Sequence, residues 1–596
     1  MYVRMVSYID AVNQYRRTKI SNRNFLVFAA LVVGILAGLA ASLLKSLTQR
    51  IEHFLQEGFH WQYKYYLFLI FPTIGILLSV MYVRRFIRKG KFETGLTPLL
   101  YTISKKSSRV EPHNIYSQII TAALTVGFGG STGLEAPIVT SGAGIGSVVG
   151  RFLGLSYRET TLLLACGAAA GIAGAFNSPI AGIVFAVEIL LPEFSIPAFI
   201  PLLLSSATAA VVARMFYSEQ LFFLVTEGWQ YKALGWYVVL AVLIGFFSIF
   251  FNKSYYFIKH SFYKIKGPYH KVVIGGVLLG AMVFLFPTLY GEGYVTIKNL
   301  LGGNYSIVVT NSIFSSYSNI PVVIILFTAV TMFAKTAATL ITLSAGGNGG
   351  IFAPSLILGG LMGFLLAFTI NTLGIAHVNV ANFIVAGMAA SLSAIMHAPL
   401  TGIFLIAEIT GGYVLMVPLM ITSAIAYFIG RSANQYSIYT KPLAESGDLM
   451  SYEDKDSTVL NMMKLKYLVE TDYLSLNEDD TIPERLNEVL QSKRNLFPVI
   501  GEDKTFKGLL YVEEVLKKAI DNPKINELRV QDLMQAAPDL IFINDSLKTV
   551  LKKMDQENAW LLPVLNEHEE FIGFVSKTAI LNKYRALLIR QADYME

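Results

Sequence analysis

Apolar runs separated by short polar and basic stretches fill the chain from residue 25 to about residue 440. The runs at 25–44 and 66–83 are long enough to cross a bilayer as helices. Several others are shorter and end in Gly or Pro, and such broken helices occur in a membrane only where protein or a wet cavity covers their backbone. The pattern predicts an all-α polytopic membrane protein with broken helices. Further helices are expected at 116–126, 138–152, 160–173, 180–191, 198–215, 236–251 and 272–289 and between 321 and 429, with a polar excursion outside the membrane at 291–319.

Two glycine-rich loops and the segments that follow them repeat along the chain. Residues 129–137 read Gly-Gly-Ser-Thr-Gly-Leu-Glu-Ala-Pro, and residues 346–354 read Gly-Gly-Asn-Gly-Gly-Ile-Phe-Ala-Pro. Segment 167–189 then aligns without a gap on segment 387–409. This self-similarity indicates duplicated halves, which in transporters meet at a site near the midplane. The repeat does not give the relative orientation of the copies, although transporters with such halves often have them inverted.

Glu135 is a carboxylate at the point where the first glycine-rich loop runs into a helix. The first N–H groups of a helix have no intrahelical partner and attract anions, so this carboxylate can itself occupy the position of an anion. A charge near the centre of a bilayer costs on the order of 3 kcal/mol, and such residues usually mark ion or proton pathways. A structural helix cap is the alternative, but we expect a functional role.

These motifs resemble those of the CLC chloride channels and chloride/proton antiporters. Residues 130–137 are similar to the gating-glutamate motif of that family, residues 350–354 to its second anion-coordinating motif, and residues 176–182 also fit. The resemblance implies a homodimer with one chloride pathway in each subunit. It also implies that Glu135 competes with the permeating anion and swings away when it is protonated or displaced. The anion-binding residues that it implies are Thr94, Gly133, Leu134, Glu135, Ala136, Gly350, Ile351, Phe352 and Tyr439.

The resemblance gives these residues different roles. Ile351 and Phe352 are expected to contribute backbone N–H groups, because an apolar side chain cannot bind a halide, and Phe352 can serve at the same time as an ordinary core aromatic. Tyr439 is expected to donate its hydroxyl to the anion, with Tyr436 as its rival.

The first anion motif of the family is altered in this chain. Residues 93–98 read Glu-Thr-Gly-Leu-Thr-Pro, so Thr94 keeps the hydroxyl of the family's serine while Thr97 falls where the family has proline. An inserted residue before Pro98 is the other alignment. The departure leaves open whether the protein prefers chloride, nitrate or another anion.

A second departure bears on the mechanism. The antiporters of the family carry two adjacent glutamates after the 176–182 motif, and the second relays protons, whereas here Glu188 is followed by Ile189. An isoleucine cannot carry a proton, so the sequence favours a passive, glutamate-gated chloride channel, with a chloride/proton antiporter of the same fold as the alternative. Glu188 and its repeat partner Glu408 are expected to make structural hydrogen bonds within their helices, and His397 is expected to be a satisfied polar group.

Composition and charge agree with a membrane location. Hydrophobic residues make up 54% of the chain and charged residues 15%, and the single cysteine, Cys166, excludes an internal disulfide. The net charge of +7 does not indicate nucleic acid, because basic residues cluster at the ends of apolar runs, as in cytoplasmic loops. We therefore expect an amphipathic cytoplasmic segment at 1–24, a membrane domain at 25–440 with halves at about 66–216 and 272–432, and residence in the plasma (inner) membrane of a prokaryote. The two basic clusters are Arg16, Arg17, Lys19 and Arg23, and Arg84, Arg85, Arg88, Lys89 and Lys91.

The region 441–596 has a charged, soluble composition and its own repeat. Phe-Pro-Val at 497–499 recurs as Leu-Pro-Val at 562–564, each followed at the same spacing by a glycine. Each copy, at about 465–525 and 528–590, resembles a CBS domain, and such pairs can bind adenine nucleotides. The family usually has an Asp after the last strand, where this chain has Glu514 and Ala579, so nucleotide binding is an open expectation and no other cofactor is expected.

Two other functional classes are compatible with parts of the sequence. A CBS-regulated cation transporter needs several carboxylates or carbonyls converging on a hard cation, and the membrane region is poor in acids. An intramembrane enzyme needs paired aspartates, a His-Glu-x-x-His motif or a Ser-His pair at helical spacing. We identify no catalytic arrangement of these kinds, so we expect no enzyme.

Overall fold

A computed structural model of the protein describes residues 21–57, 64–87, 92–191, 196–217, 228–310, 312–446, 460, 463–492, 494–501, 503–521 and 528–592. The chain divides into two compact units, Met1–Leu449 and Met450–Glu596. The amphipathic segment expected at the N-terminus lies, up to residue 20, outside the described residues, as do Arg88, Lys89 and Lys91.

The first unit is helical, and the apolar runs of the sequence are confirmed as helices. Its α-helices are α1 (Asn22–Glu57), α2 (Lys64–Leu67), α3 (Phe71–Phe86), α4 (Thr97–Lys105), α5 (Asn114–Gly127), α6 (Glu135–Phe152), α7 (Tyr157–Phe176), α8 (Pro179–Phe185), α9 (Ile196–Phe216), α10 (Leu234–Tyr263), α11 (Pro268–Leu285), α12 (Tyr294–Leu301), α13 (Pro321–Ser344), α14 (Phe352–Thr372), α15 (Val380–Met396), α16 (Pro399–Ile409), α17 (Met416–Ala433) and α18 (Lys441–Glu445). Eight helices of the described residues are long and apolar enough to cross a membrane. The stretch 291–319, expected outside the membrane, contains α12, one face of which is buried.

The two halves of this unit are built alike. Helices α1, α6, α7, α8 and α9 pack against one another in the same pairs as α10, α14, α15, α16 and α17. The duplication therefore includes α1 and α10, which lie outside the halves expected from the motifs. Where α6 crosses α7, and where α14 crosses α15, glycines bring the backbones together. A Cβ at Gly142, Gly167, Gly359 or Gly387 would lie 2.0–2.2 Å from a carbonyl oxygen of the facing helix.

The repeated turn after α7 and α15 explains the pairing of Asn177 with His397. Both residues end their helix in the left-handed region, with φ of 55° and 58°, and proline opens the next helix at positions 179 and 399. The Nε2 atom of His397 is buried and has no hydrogen-bond partner among the described residues. The expectation that His397 is a satisfied polar group is therefore wrong for this ring nitrogen, because the imidazole packs in a T-shaped arrangement with the ring of Tyr427, with centroids 5.8 Å apart.

Glu188 and Glu408 each cap a helix of the opposite half. The Glu188 carboxylate accepts hydrogen bonds from the backbone N–H groups of Leu400 and Thr401, at 3.0 and 2.8 Å, and from the Thr401 hydroxyl, at 2.7 Å. Glu408 accepts from the N–H groups at 180 and 181, at 3.1 and 2.8 Å. The expected hydrogen bonds within their own helices are thus replaced by reciprocal bonds between halves, since the starts of α16 and α8 offer unpaired N–H groups. Such reciprocity is what a twofold relation between the halves produces.

The second unit contains two copies of one motif. Its elements are β1 (Leu476–Asn477), α19 (Ile482–Gln491), β2 (Leu496–Ile500), β3 (Phe506–Tyr511), α20 (Val512–Asp521), α21 (Val530–Leu533), β4 (Ile541–Phe542), α22 (Leu547–Gln556), β5 (Leu561–Leu565), β6 (Phe571–Ser576) and α23 (Lys577–Ala592). In each sheet the first strand runs parallel to the second, and the second runs antiparallel to the third. Val499 pairs with Gly508 as Val564 pairs with Gly573. This shared register confirms the internal repeat.

A charged cluster ties the two copies together. Arg494 of the first copy donates to the Glu470 carboxylate at 2.9 Å and to the Tyr473 hydroxyl at 2.6 Å, while Ser576 of the second copy donates to Glu470 at 2.8 Å. Partial burial acts to raise the pKa of Glu470, but the hydrogen bonds from Arg494 and Ser576 hold that pKa below its usual value. Glu470 therefore stays ionised and keeps this contact at neutral pH.

Candidate functional site

The two glycine-rich loops meet inside the first unit. Gly133 and Gly350 form an antiparallel bridge, with N···O distances of 2.9 and 2.8 Å. The Thr132 hydroxyl adds a hydrogen bond of 2.9 Å to the carbonyl of Gly350. The bridge holds the first turns of α6 and α14 side by side, so the N-terminal ends of two broken helices face one region.

Glu135, the first residue of α6, lies at this junction and is only 3% exposed. Its Oε2 accepts a hydrogen bond from the backbone N–H of Ala353, at 3.3 Å. Its Oε1 accepts a hydrogen bond from the Tyr294 hydroxyl, at 2.7 Å. The carboxylate therefore occupies the N-terminal end of α14, the helix of the opposite half, where an anion is most favoured.

Aromatic rings surround this junction. The ring centroid of Phe352 lies 5.7 Å from that of Phe176 and 6.3 Å from that of Phe185, and Phe176 lies 6.2 Å from Tyr294. Phe352 is buried in the main apolar core. The Phe352 side chain is thus part of the apolar core, which is one of the two roles expected from the sequence. Its backbone lies in the first turn of α14.

The Tyr439 side chain is buried beside the same helix end. Its hydroxyl lies near the backbone amide of Ile351 and interacts electrostatically with Tyr255 and Glu135. The oxygen is buried without a hydrogen-bond partner among the described residues, which suits a group that donates to a small anion. Tyr436, its rival in the sequence, is 38% exposed, and this difference favours Tyr439.

The altered first motif supplies Thr97 rather than Thr94 to this neighbourhood. Thr97, the first residue of α4, donates its hydroxyl to the backbone carbonyl of Tyr439 at 3.0 Å. Thr94 is exposed and is separated from α4 by Gly95, whose φ of +82° turns the chain. The predicted role of Thr94 in anion binding stays a prediction. The hydroxyl that contacts Tyr439 in the structure belongs to Thr97.

Some of the expected backbone donors are already engaged. The amides of Gly133 and Gly350 donate to each other's carbonyls, and the amide of Leu134 donates to the Glu292 carboxylate at 3.2 Å. The amides of these three residues are therefore engaged within the loops, and their predicted role in anion binding stays a prediction. The amides at 136, 351 and 352 lie in the first turns of α6 and α14, where N–H groups have no intrahelical acceptor.

The structure adds charged residues that we did not single out in the sequence. Glu292 and Tyr294 lie in the stretch expected outside the membrane, and Lys45 and Lys335 lie inside apolar helices, 7% and 1% exposed. Lys45 donates to the backbone carbonyl of Ala175. The sequence marks the three charged residues. Glu292 is an acid between two glycines, and each of the two lysines interrupts an apolar run.

The substitution Gly133→Ala is expected to displace the Glu135 carboxylate from the Ala353 amide. The new Cβ would lie 2.2 Å from Oε2 of Glu135 and 2.8 Å from Cβ of Ala353, so the carboxylate cannot keep its place. The same Cβ would lie 3.1 Å from the Ala353 nitrogen, where chloride is expected to bind. Loss of a hydrogen bond from this amide to an anion is worth about 1.5 kcal/mol or more, so chloride efflux from reconstituted vesicles at neutral pH should fall roughly tenfold. Gly412→Ala should leave the flux unchanged, because a Cβ added at Gly412 has no other atom within 4 Å. Equal flux in both variants would contradict this geometry.

Comparisons with known proteins agree with this arrangement of motifs. Residues 75–431 match the family model of the voltage gated chloride channel, and residues 530–586 match that of the CBS domain. The chain belongs to the CLC family. The resemblance inferred from the glycine-rich loops, and that of the C-terminal region to CBS domains, are thereby confirmed.

Individual relatives show the same family. The chain is 32% identical to the H(+)/Cl(-) exchange transporter ClcA of Klebsiella pneumoniae over 448 residues, which cover 70% of this chain and 89% of that protein. Its fold is similar to that of a slow cyanobacterial Cl-/H+ antiporter, with a TM-score of 0.61 and 23% identity over 72% of this chain and 99% of that chain. A eukaryotic CLC transporter is similar over 94% of this chain and 99% of that chain, with a TM-score of 0.57 and 19% identity. The protein is therefore a multi-pass membrane protein for CLC-type chloride transport, and these relatives are transporters.

Proposed function

We propose that this protein exchanges chloride for protons, with one pathway in each subunit of a homodimer. The observation that carries the proposal is the Glu135 carboxylate, which receives the Ala353 amide and the Tyr294 hydroxyl at the start of α14. The exchange activity named for the relative ClcA, which matches over most of its length, supports the antiporter alternative over the passive channel that Ile189 favoured.

Chloride and the Glu135 carboxylate exclude each other from one position, and this competition couples chloride transport to proton transport. The N–H groups at the start of α14 attract negative charge, and the ionised Glu135 already occupies them. A chloride ion that takes this position displaces the carboxylate, and the displaced carboxylate becomes stable inside the membrane when it binds a proton, because a neutral acid is less costly there than a charge. Alternation between the two occupants then carries chloride and protons in opposite directions.

Ile189 favours a second candidate function, passive chloride conduction. It lies half-buried in the π-helical turn Ala186–Leu190 that continues α8, at the position of the family's internal proton relay. Its side chain has no group that binds a proton. Exchange in this protein therefore requires another proton-binding group, whereas conduction requires none.

Chloride and proton fluxes measured together in reconstituted vesicles distinguish the two functions. With equal pH on both sides and the voltage clamped at zero by potassium and valinomycin, an inward chloride gradient should drive protons out and make the lumen alkaline. A proton ionophore should abolish that change, and protein-free vesicles should show none. Chloride flux without any change of lumenal pH would contradict exchange and support the channel.

We also infer the orientation of the chain from its charges. Basic residues at the end of α3, Arg84 and Arg85, lie on the side that the positive-inside rule assigns to the cytoplasm. The N-terminus and the C-terminal unit then share the cytoplasmic side. Nucleotide binding by the CBS pair stays an open expectation, because the positions where the family usually has Asp hold Glu514, which forms an ion pair with Lys517 at 3.4 Å, and Ala579, whose amide donates to the hydroxyl of Ser576 at 3.0 Å.

A further inference from the structure

A second carboxylate lies beside the junction of the two broken helices. Glu292 stands in a tight turn between Gly291 and Gly293, which have φ of +60° and +101°, values that favour glycine. The turn aims the side chain at α6, where Oε1 accepts the backbone N–H of Leu134, the residue before Glu135, at 3.2 Å. Glu292 and Glu135 repel each other electrostatically, so their charges are coupled.

Two buried lysines face this pair of acids. Lys335 of α13 donates to the backbone carbonyl of Gly291 at 2.9 Å and to that of Leu289 at 3.4 Å, and its charge interacts with Glu292. Lys45 of α1 interacts with both Glu292 and Glu135. The fifth polar group is the Tyr294 hydroxyl, which donates to Glu135 and interacts with Glu292.

The like charges of this cluster bear on the entry of chloride. A chloride ion that enters at the start of α14 adds one negative charge close to Glu292, in a region of low dielectric constant where repulsion between like charges is strong. Uptake of one proton by Glu292 removes this repulsion. Glu135 is buried, whereas Glu292 is half-buried.

We propose that Glu292 is a second proton-binding carboxylate of the chloride site, which takes up a proton when chloride binds. This inference deepens the proposed exchange, on which it rests, by supplying a proton-binding group where Ile189 has none. The proton comes from water and leaves the Glu292 carboxylate neutral. Chloride and this proton then favour each other's binding, and by linkage the effect is the same in both directions.

Chloride binding to the Glu135→Gln protein isolates the contribution of Glu292. With the gating acid neutralised, chloride affinity is measured by isothermal titration calorimetry in detergent between about pH 4 and pH 8. We expect the affinity to fall roughly tenfold as the pH is raised, since the ionised Glu292 repels chloride from nearby. We also expect proton uptake on binding, seen as a dependence of the heat on the buffer. Both effects should vanish in Glu135→Gln/Glu292→Gln and return in Glu135→Gln/Glu292→Asp.

A matched control tests whether any nearby carboxylate has the same effect. Glu52 of α1 lies beside the same turn, where a Cβ at Gly291 would come within 2.7 Å of its Oε1. Glu135→Gln/Glu52→Gln should keep the pH dependence. A pH-independent affinity in Glu135→Gln itself, or an unchanged pH dependence after removal of Glu292, would overturn the inference. Failure of proton-coupled flux in the wild type would instead contradict the exchange function and leave this binding result intact.

Discussion

Replacement of Glu135 by Gln is expected to abolish proton transport and leave chloride transport active and insensitive to pH. The carboxamide has the shape of the carboxylate and still accepts from Tyr294, but it carries no negative charge to compete with chloride at the Ala353 amide. It also cannot bind and release a proton. Loss of a proton-transferring group usually costs at least about 100-fold in rate, so chloride-driven proton flux in vesicles should fall by that factor.

The control for this variant is a neutralised acid far from the junction. Glu111 is exposed, and Glu111→Gln should transport both ions as the wild type does. Chloride flux in Glu135→Gln should be the same at acid and neutral pH, while the wild-type flux rises with acidity. Proton flux that persists in Glu135→Gln, or chloride flux that stops, would show that Glu135 is not the gate.

Substitution of Glu188 by Ala is expected to destabilise the membrane unit by about 3 kcal/mol or more. The carboxylate accepts hydrogen bonds from two N–H groups and one hydroxyl at the start of α16. Thr401 is buried, and leaving its amide and its hydroxyl unpaired costs about 1–3 kcal/mol each. The loss is measured as the shift of thermal unfolding in detergent. Glu408→Ala should cost less, because Glu408 accepts two hydrogen bonds.

Two further variants separate capping from the mere loss of a side chain. Glu188→Gln keeps an acceptor oxygen and should lose only part of the stability, whereas Glu111→Ala on the surface should change it little. Equal stability of Glu188→Ala and the wild type would mean that the reciprocal caps do not hold the two halves together.

The local parts of the site were predictable from sequence, whereas its long-range contacts were not. The loop containing Glu135 and the loop containing Phe352 are recognisable because glycine, proline and one acid recur at fixed spacing. The hydrogen bond between Leu134 and Glu292 joins residues far apart in sequence, and apolar periodicity carries no information about such a pair. For the same reason Glu188 was expected to bond within its own helix, although its partners are in the opposite half.

In the sequence, the choice between channel and exchanger depended on a single residue. Ile189 removes a known type of proton relay, and on that basis the sequence favoured a channel. The relatives favour exchange, and the structure offers Glu292 and Tyr294 beside Glu135 as groups that can interact with a proton. A missing relay therefore excludes one route for the proton and leaves others open.

Bromide bound to crystals of the Glu135→Gln protein, located by its anomalous scattering, tests the central claim most directly. The account predicts a bromide peak at the start of α14, at the place where Oε2 of Glu135 lies 3.3 Å from the Ala353 amide, and a weaker peak or none there in the wild type. A Glu135→Gln structure with bromide bound elsewhere and no peak beside the Ala353 amide would contradict competition between the carboxylate and the anion.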